Sequence, residues 1–420
     1  MPLHSKEDWI RYGDEIRRPL LVADKLNQSS NICIVGAGLS GLTIAYRIAS
    51  KRPDINIKIL EKSNRCGGVI ETWAQGDWTC DVAVNAARPH PAFWRLVNDV
   101  GLGNQYSQSN PDAKSRWIYH NKRSSKMSLK MAIQMGPFRL FKSIRSARKG
   151  RKPVSDIIPN QNIADAMTLG IVNDLSSNVD ADFLMPSLTR FGEEPPIKWS
   201  KIKKKIKGTY PLFLPQKGSI ASFEDGMQTL VNALVEHLEE LPNVSIELNQ
   251  SYSTPNEVAE LHNLPLHSII WCAPTSRNPT EFTELDIYAV GYSDADTPNI
   301  PIGYGTLIPD STVPISGILH ESDVHQSPRA PSGHRLFRIM APRDRSGDVD
   351  SIKKSLRQIL SDAEPVMFEN IGTRRIPSYP PGYMSKLLLD KTEFTRAGWF
   401  YSGVSVTHVV AEAERIAGLF

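Results

Sequence analysis

The chain is poor in cysteine, in long apolar runs and, over one long stretch, in acid. Its four cysteines, Cys33, Cys66, Cys80 and Cys272, are widely spaced and form no C-x-x-C pair. That spacing argues against a disulfide framework or a cysteine zinc site and predicts reduced thiols in an intracellular protein. No uninterrupted apolar stretch reaches the roughly 20 residues that span a bilayer, so membrane attachment, where it occurs, is expected to be peripheral. The first 30 residues lack an apolar core segment and mix Arg11, Arg17 and Arg18 with Glu7, Asp8, Asp14 and Glu15. They read as a flexible arm or short helix rather than a secretory signal.

The missing acid is local. From Ala113 to Ser155 there is no Asp or Glu, while Lys114, Arg116, Lys122, Arg123, Lys126, Lys130, Arg139, Lys142, Arg145, Arg148, Lys149, Arg151 and Lys152 all fall there, in a chain whose net charge is only +4. Met127, Leu129, Met131, Ile133, Met135, Phe138, Leu140, Phe141 and Ile144 interleave with them, and a second basic run covers Lys198 to Lys207. Cations mixed with Met and Phe suit a face resting on anionic lipid; the plain alternative is a solvated basic surface or loop. No nucleic-acid-binding motif accompanies the charge, so nucleic acid is set aside as a partner.

What is present is most specific near the start. The apolar run Ile32 to Val35 reads as a buried parallel strand, and Gly36, Gly38 and Gly41 follow it at G-x-G-x-x-G spacing. Gly36 allows a tight turn, Gly38 lets backbone amides approach a pyrophosphate, and Gly41 lets the helix from Leu42 to Ser50 pack close to the strand. The helix N-terminus, carrying Ser40, then faces the phosphates with its partial positive charge. A second strand, Ile57 to Leu60, ends in Glu61, where a carboxylate is placed to meet ribose hydroxyls. Strand, glycines, helix, second strand and acid in this order predict a dinucleotide site, with NAD and FAD both open. Lys62, Arg65, Gly67 and Gly68 follow directly. The Arg65 and double-glycine arrangement resembles flavoproteins of the amine-oxidase and protoporphyrinogen-oxidase type, which implies FAD.

At 420 residues the chain is expected to form more than one domain. We expect an α/β fold: a Rossmann-like FAD-binding domain assembled from discontinuous segments, a mixed-sheet α+β substrate domain and a helical, basic membrane-associating domain. The expected divisions are an arm over residues 1–30, dinucleotide segments over 31–92, 209–275 and 391–420, a largely helical membrane-associating and substrate-entry part over 93–208, and a substrate domain over 276–390. Candidate helices cover Ala92 to Leu102, Ile163 to Leu175, Ala181 to Thr189, Gly226 to Leu238 and Asp348 to Leu360. The closing segment from Gly398 is expected to be a strand, a glycine turn and a helix through Ile416.

Several segments then resemble, in order, the protoporphyrinogen oxidases of haem biosynthesis. Ser115-Arg116-Trp-Ile-Tyr, Met167-Thr-Leu-Gly170, Ser222-Phe-Glu-Asp-Gly226, Gly303-Tyr304-Gly-Thr-Leu307, Ser316-Gly-Ile-Leu319, Phe337-Arg-Ile-Met340, Ile376-Pro-Ser-Tyr-Pro-Pro-Gly382-Tyr and Ala397-Gly398 through Gly403-Val404-Ser-Val406 carry the likeness. It implies FAD as cofactor, a porphyrinogen substrate and O2 as acceptor, and peripheral contact with an anionic membrane. The mitochondrial inner membrane is implied for a eukaryotic source and the cytoplasmic membrane face for a bacterial one, with a homodimer left open. Arg116 is implied to meet a propionate, Met167, Gly170, Tyr304, Leu307, Leu319 and Met340 to wall the pocket, and Gly398, Gly403, Val404 and Val406 to close the flavin site. No side-chain acid, base or metal is implied, because the flavin carries the chemistry. The chain departs from the family at Ala83-Val84, where a Gly-Pro pair is usual, and at Thr407-His408. Those departures keep a catalytically silent FAD-binding relative as an alternative, and the shared fold keeps an amine-oxidase-like enzyme as another.

Overall fold

The computed structural model describes residues 18–88, 90–127, 137–198, 200, 220–274, 282–345 and 347–420. Residues 1–17 and parts of both basic runs (128–136 and 201–207) lie outside the described residues.

Two sheets organise the fold. The first is parallel throughout, in the order Thr395–Arg396 (β16), Ile269–Trp271 (β10), Asn31–Val35 (β1), Asn56–Leu60 (β2) and Val244–Glu247 (β9). Its central strands are buried on both faces, which is why they read as continuous apolar runs rather than alternations. One face is covered by four helices, Leu39–Lys51 (α1), Pro91–Asp99 (α2), Gln228–Glu239 (α6) and Val406–Ala417 (α12). Ile34, Ile57, Ile59, Leu42, Phe93, Leu234 and Val410 are all fully buried there. The opposite face packs Cys33, Val35, Leu60 and Trp271 against Val258 and Ala259 of Pro255–Leu261 (α7).

The second sheet has seven strands, ordered Met367–Pro377 (β15), Phe282–Ser293 (β11), His334–Pro342 (β14), Gly317–Leu319 (β13), Gly305–Leu307 (β12), Arg116–His120 (β6) and Arg123–Lys126 (β7). It is antiparallel except where β12 runs parallel to β6. One face holds Leu285, Ile287, Ala289 and Leu336 against Gln161–Val172 (α4), Ala181–Leu184 (α5), Tyr383–Leu389 (α10) and Trp399–Ser402 (α11). The other is closed by Val349–Ile359 (α9) through Ile352 and Leu356. A hairpin of Thr72–Gln75 (β3) and Trp78–Asp81 (β4) leads out of the first sheet toward the second, and Tyr106–Gln108 (β5) pairs with Ala221–Phe223 (β8).

Three expectations need correction. The described residues of 93–208 are not largely helical: β6 and β7 lie among them and belong to the second sheet, so a separate helical domain is not seen among the described residues. After α2, the helices among those described residues are Pro137–Lys149 (α3), α4 and the single turn α5, and α4 stops at Val172 because Asn173 takes a left-handed conformation, φ 52°. The aromatic run after Gly398 forms the one-turn helix α11, not a strand, because Gly398 (φ 110°) and Gly403 (φ 100°) bracket it too tightly for extended chain. Residues 18–23 of the expected arm are packed: Arg396 N–H donates to Leu21 O at 2.8 Å, and Ala23 N–H to Thr395 Oγ1 at 3.2 Å.

The closeness of strand and helix at the glycine turn is a stringent steric requirement. A Cβ on Gly41 would stand 2.1 Å from the carbonyl oxygen of Gly36, so α1 would have to move off β1. Gly41→Val should lower the unfolding free energy by about 2 kcal/mol or more, the upper part of the range for overpacked positions, as read by urea denaturation; an unchanged midpoint would show that α1 can shift freely.

Candidate functional site: a crevice between the two sheets

Open parallel sheets bind ligands beyond the carboxyl ends of their strands, where neighbouring strands connect in opposite directions. Here that switch point lies between β1 and β10. Gly36 (φ 104°) turns the chain there, and an added Cβ would come within 3.3 Å of the Cys272 carbonyl carbon. Its own N–H donates to Leu60 O at 2.8 Å. Gly38 then stands at the N-cap of α1 with no side-chain cap, and the first turn carries no acid. The leading amides are therefore free of side-chain acceptors, as an anion site needs.

The neighbouring residues shape this cradle. A Cβ on Gly38 would find only the Gly68 Cα, at 4.0 Å, and Gly67 N–H donates to Ala37 O at 2.7 Å, so the double glycine lies across the turn. Glu61 is buried; it accepts from Ala37 N–H at 2.8 Å and Ser63 N–H at 2.9 Å. Two of its roughly four lone-pair sites stay available. Arg65 donates to the carbonyls of Cys66, Ile70 and Gly68 at 3.2, 3.2 and 2.9 Å and pairs with Glu71 at 2.8 Å. Its guanidinium thus braces the turn. Ser40 and Leu42 are buried, and Lys62 is exposed.

The crevice continues along β16. Ala397 N–H donates to Trp271 O at 3.0 Å, and Gly398 N–H donates to Glu412 Oε2 at 2.6 Å. The position a Gly398 Cβ would take is 3.9 Å from Ser40, which joins this segment to the first turn of α1. After α11, Gly403, Val404 and Val406 lead into α12, whose Glu412 and His408 turn inward. Burial pushes the Glu412 carboxyl up to about 8, against the pull of the Gly398 amide and Arg415. Desolvation, with Arg18, His90 and Arg88 nearby, holds the His408 ring neutral.

The pocket-wall candidates fall into two touching groups. A Cβ on Gly170 would meet Leu307 Cδ2 at 3.3 Å, and one on Gly317 would meet Met340 Cε at 2.9 Å and Leu307 at 3.8 Å, so Gly170, Leu307 and Met340 converge. Met167 packs against the same core. Leu319 and Tyr304 share a smaller cluster with Ala113 and Val324. Arg116 is exposed and stacks its guanidinium 4.0 Å from the Tyr304 ring centre. Asn85 donates to Tyr304 Oη at 3.5 Å, which links the loop after β4 to this group.

Sequence reasoning missed a buried charge network beneath that loop. Asp81 accepts from Met227 N–H at 2.8 Å and Thr72 Oγ1 at 2.7 Å and faces Arg329 at 4.0 Å. Glu321, in the helical turn Glu321–Val324 (α8), accepts from His325 at 3.2 Å and faces Arg338 at 3.9 Å. Burial raises the Glu321 carboxyl, but Arg338, His325 and Arg329 outweigh it and bring it down to about 2. Arg338 also donates to the carbonyls of Asp81 and Ala83, and Arg374 to Ala83 O at 3.1 Å. Asp81, Glu321 and His325 stand close enough to hold a metal ion, yet the arginines already neutralise them. The loop at Ala83-Val84 thus has a defined path, pinned through its carbonyls by two strands of the second sheet. Nothing local in the sequence signals this, since the partners lie hundreds of positions apart.

Comparison with known proteins follows the same geometry. Residues 34–100 match the family model of the NAD(P)-binding Rossmann-like domain. The protoporphyrinogen oxidase of Schizosaccharomyces pombe is 23% identical over 471 aligned positions, covering 90% of this chain and 95% of that protein. The chain is similar to that oxidase along nearly its whole length. Among solved structures, a bacterial protein assigned as a protoporphyrinogen oxidase, from Exiguobacterium sp. 255-15, superposes with a TM-score of 0.65 at 15% identity, covering 93% of this chain and 98% of that one. A putrescine oxidase variant reaches 0.60 at 11% identity over 93% and 98%. The fold is therefore shared across oxidases with different substrates, and the structural likeness speaks for the fold alone.

The buried Glu412 gives the site a measurable pH response. Its folded pKa lies above the ordinary value, so the stability tied to its protonated form is complete below about 4.5 and is lost as pH rises through about 8. Glu412→Gln keeps an acceptor for Gly398 and does not titrate. The stability of this variant relative to the parent should therefore climb between pH 4.5 and 8 and level off on either side, as measured by chemical denaturation across that range. A constant difference would place the carboxylate in an ordinary environment.

Proposed function

We propose that this chain binds FAD and oxidises protoporphyrinogen IX to protoporphyrin IX with O2 as acceptor. The observation that carries the reading is the collinear likeness to a curated protoporphyrinogen oxidase over 90% of the chain. It is supported by a crevice that runs from an uncapped helix N-terminus toward a largely apolar wall. The residues fit the cofactor on the structure's own terms: a backbone cradle open above Gly38, acceptor capacity left on Glu61, and glycines of positive φ at 36, 398 and 403. Glu61 would hold the ribose, the α1 amides the pyrophosphate, and Gly398, Gly403, Val404 and Val406 the other half.

A bound FAD would supply the redox chemistry, three two-electron oxidations of the porphyrinogen with O2 reduced each time to hydrogen peroxide, six electrons in all. The chain's own contribution is binding and orientation. Met167, Gly170, Leu307, Leu319 and Met340 supply apolar contact for a flat ring, with Tyr304 at the edge. Arg116, exposed and stacked on Tyr304, is placed to meet a propionate through a two-pronged guanidinium contact.

A second reading, a silent FAD-binding relative, is favoured by one observation. The Ala83 carbonyl accepts from the buried Arg338 and the half-buried Arg374, so the loop beside the crevice is held by side chains rather than by the rigid Gly-Pro pair of the family.

Membrane contact has support of its own. On α3, Phe138, Phe141 and Ile144 are exposed on one side, Ser143 and Ala147 are buried on another, and Arg139, Lys142, Arg145, Arg148 and Lys149 flank the apolar set. Among the described residues no helix is long and apolar enough to cross a membrane. The helix fits peripheral contact with anionic lipid.

Purified protein should show flavin absorption bands, and under air it should raise porphyrin fluorescence from protoporphyrinogen well above autoxidation; bands without a rise would favour the silent relative. Arg116→Ala should raise the apparent KM about tenfold, the loss expected of one charge-assisted contact, with kcat little changed. Equal KM values would remove Arg116 from the propionate role. Replacing Phe138 and Phe141 together by Ser should abolish low-salt flotation with anionic vesicles; retained flotation would move the contact elsewhere.

A further inference from the structure

The segment before β1 runs along the outer edge of the first sheet. Leu21 bridges Arg396 in antiparallel fashion, Arg415 donates to the Arg18 carbonyl at 3.0 Å, and the Arg18 side chain turns inward. It is only 6% exposed. Its guanidinium lies flat on Gly403, where an added Cβ would be 3.2 Å from Cζ and Nη2. It also stands 4.9 Å from the Phe183 ring centre and donates through Nη1 to the Phe183 carbonyl. Its Nε has no acceptor.

Among the described residues this cation has no formal counter-charge. The groups acting on it with opposite sign are Tyr379 and Glu412. The Tyr379 hydroxyl is buried and donates to Trp399 O at 3.0 Å, with its pKa raised well above the usual value, and the Glu412 carboxyl is pushed up to about 8. Both are neutral at pH 7, whereas Arg18, lowered by burial to about 10, stays charged. A buried ion without a partner is unfavourable, so its place in the structure calls for an anion that the described residues do not provide. That place adjoins the glycine path: Gly36 and Gly398 both lie beside Cys272, Gly398 also beside Ser40, and Gly403 lies against the Arg18 guanidinium.

We infer that Arg18 is a cofactor-facing residue whose guanidinium is the counter-ion for the negative charge on the reduced flavin ring. The inference rests on the FAD reading above. A neutral oxidised ring that gains a hydride equivalent, two electrons and one proton, from the porphyrinogen carries one negative charge. A fixed guanidinium in a water-poor site favours that state over the oxidised one. No contact with the substrate is required, so the effect belongs to the cofactor's redox balance rather than to substrate affinity.

The test uses the full chain with FAD, comparing wild type with Arg18→Met, Arg18→Gln and Arg18→Lys. Binding of oxidised FAD is read by flavin fluorescence, folding by thermal melts, and the two-electron midpoint potential by reductive dye equilibration. Met and Gln should leave oxidised-FAD affinity within about threefold. They should weaken reduced-FAD binding about tenfold relative to it, a potential lower by about 30 mV. Lys, which keeps the charge, should hold the wild-type ratio within about twofold. An unchanged potential in a folded Met or Gln variant overturns the inference. So does tighter binding of both flavin forms on removing the guanidinium, which would make Arg18 an obstruction. Failure of wild type to bind FAD at all would instead overturn the cofactor reading, and this inference with it.

Discussion

The architecture hangs on the charge network around Asp81. This carboxylate sits at the end of the hairpin that leaves the first sheet, receives the amide that opens α6, and faces an arginine that also reaches the Phe223 carbonyl. Glu321, His325 and Arg338 continue the network into the second sheet. Two carboxylates, two arginines and an imidazole lie together in the buried interior, where breaking one partnership of such a set costs about 3–5 kcal/mol. This polar junction, rather than interchangeable apolar contacts, ties the hairpin and the start of α6 to the second sheet.

Arginine is used in the interior for three separate tasks. Arg338 and Arg374 hold a loop by its carbonyl oxygens, Arg345 gathers the carbonyls of Ile308, Asp310, Val313 and Ile315, and Arg18 presents charge to a crevice. The first two follow from the planar fork of donors, which satisfies backbone groups that no neighbouring strand can reach. A fold whose loops are tied in this way can give up the conformational stiffness of a Gly-Pro pair without losing the loop's path.

The dinucleotide half was legible in the sequence because its chemistry is written over contiguous residues. Gly36, Gly38, Gly41 and Glu61 sit at fixed spacing around two apolar strands, and the structure shows a strand, turn, helix and strand in that order. The candidate pocket walls came only through resemblance, since Gly170, Leu307 and Met340 meet across three separate elements. Arg18 was invisible: it stood in a mixed-charge arm, and its neighbours Phe183 and Gly403 are remote in the chain. The aromatic run Trp399-Phe400-Tyr401 misled for a local reason, because aromatics favour strands until glycines at both ends force a turn. The strand β6 was legible only through resemblance, whereas β7, exposed along its whole length, was hidden within a stretch whose charge drew attention first.

The first sheet places β1 between a strand from residues 269–271 and one from 56–60, and finishes with residues 395–396 at its edge, against which residues 18–23 are laid. An emerging chain can therefore pair β1 with β2 early, but it must leave the other side of β1 bare through some two hundred further residues. Domains are made from the N-terminus at a finite rate, and unpaired edges on such intermediates invite wrong partners. The far wall of the candidate crevice is the segment from Gly398 onward, so the crevice is complete only once α12 has been made. A cofactor held there would enter after both edges of β1 have been paired, not while its second edge is still bare.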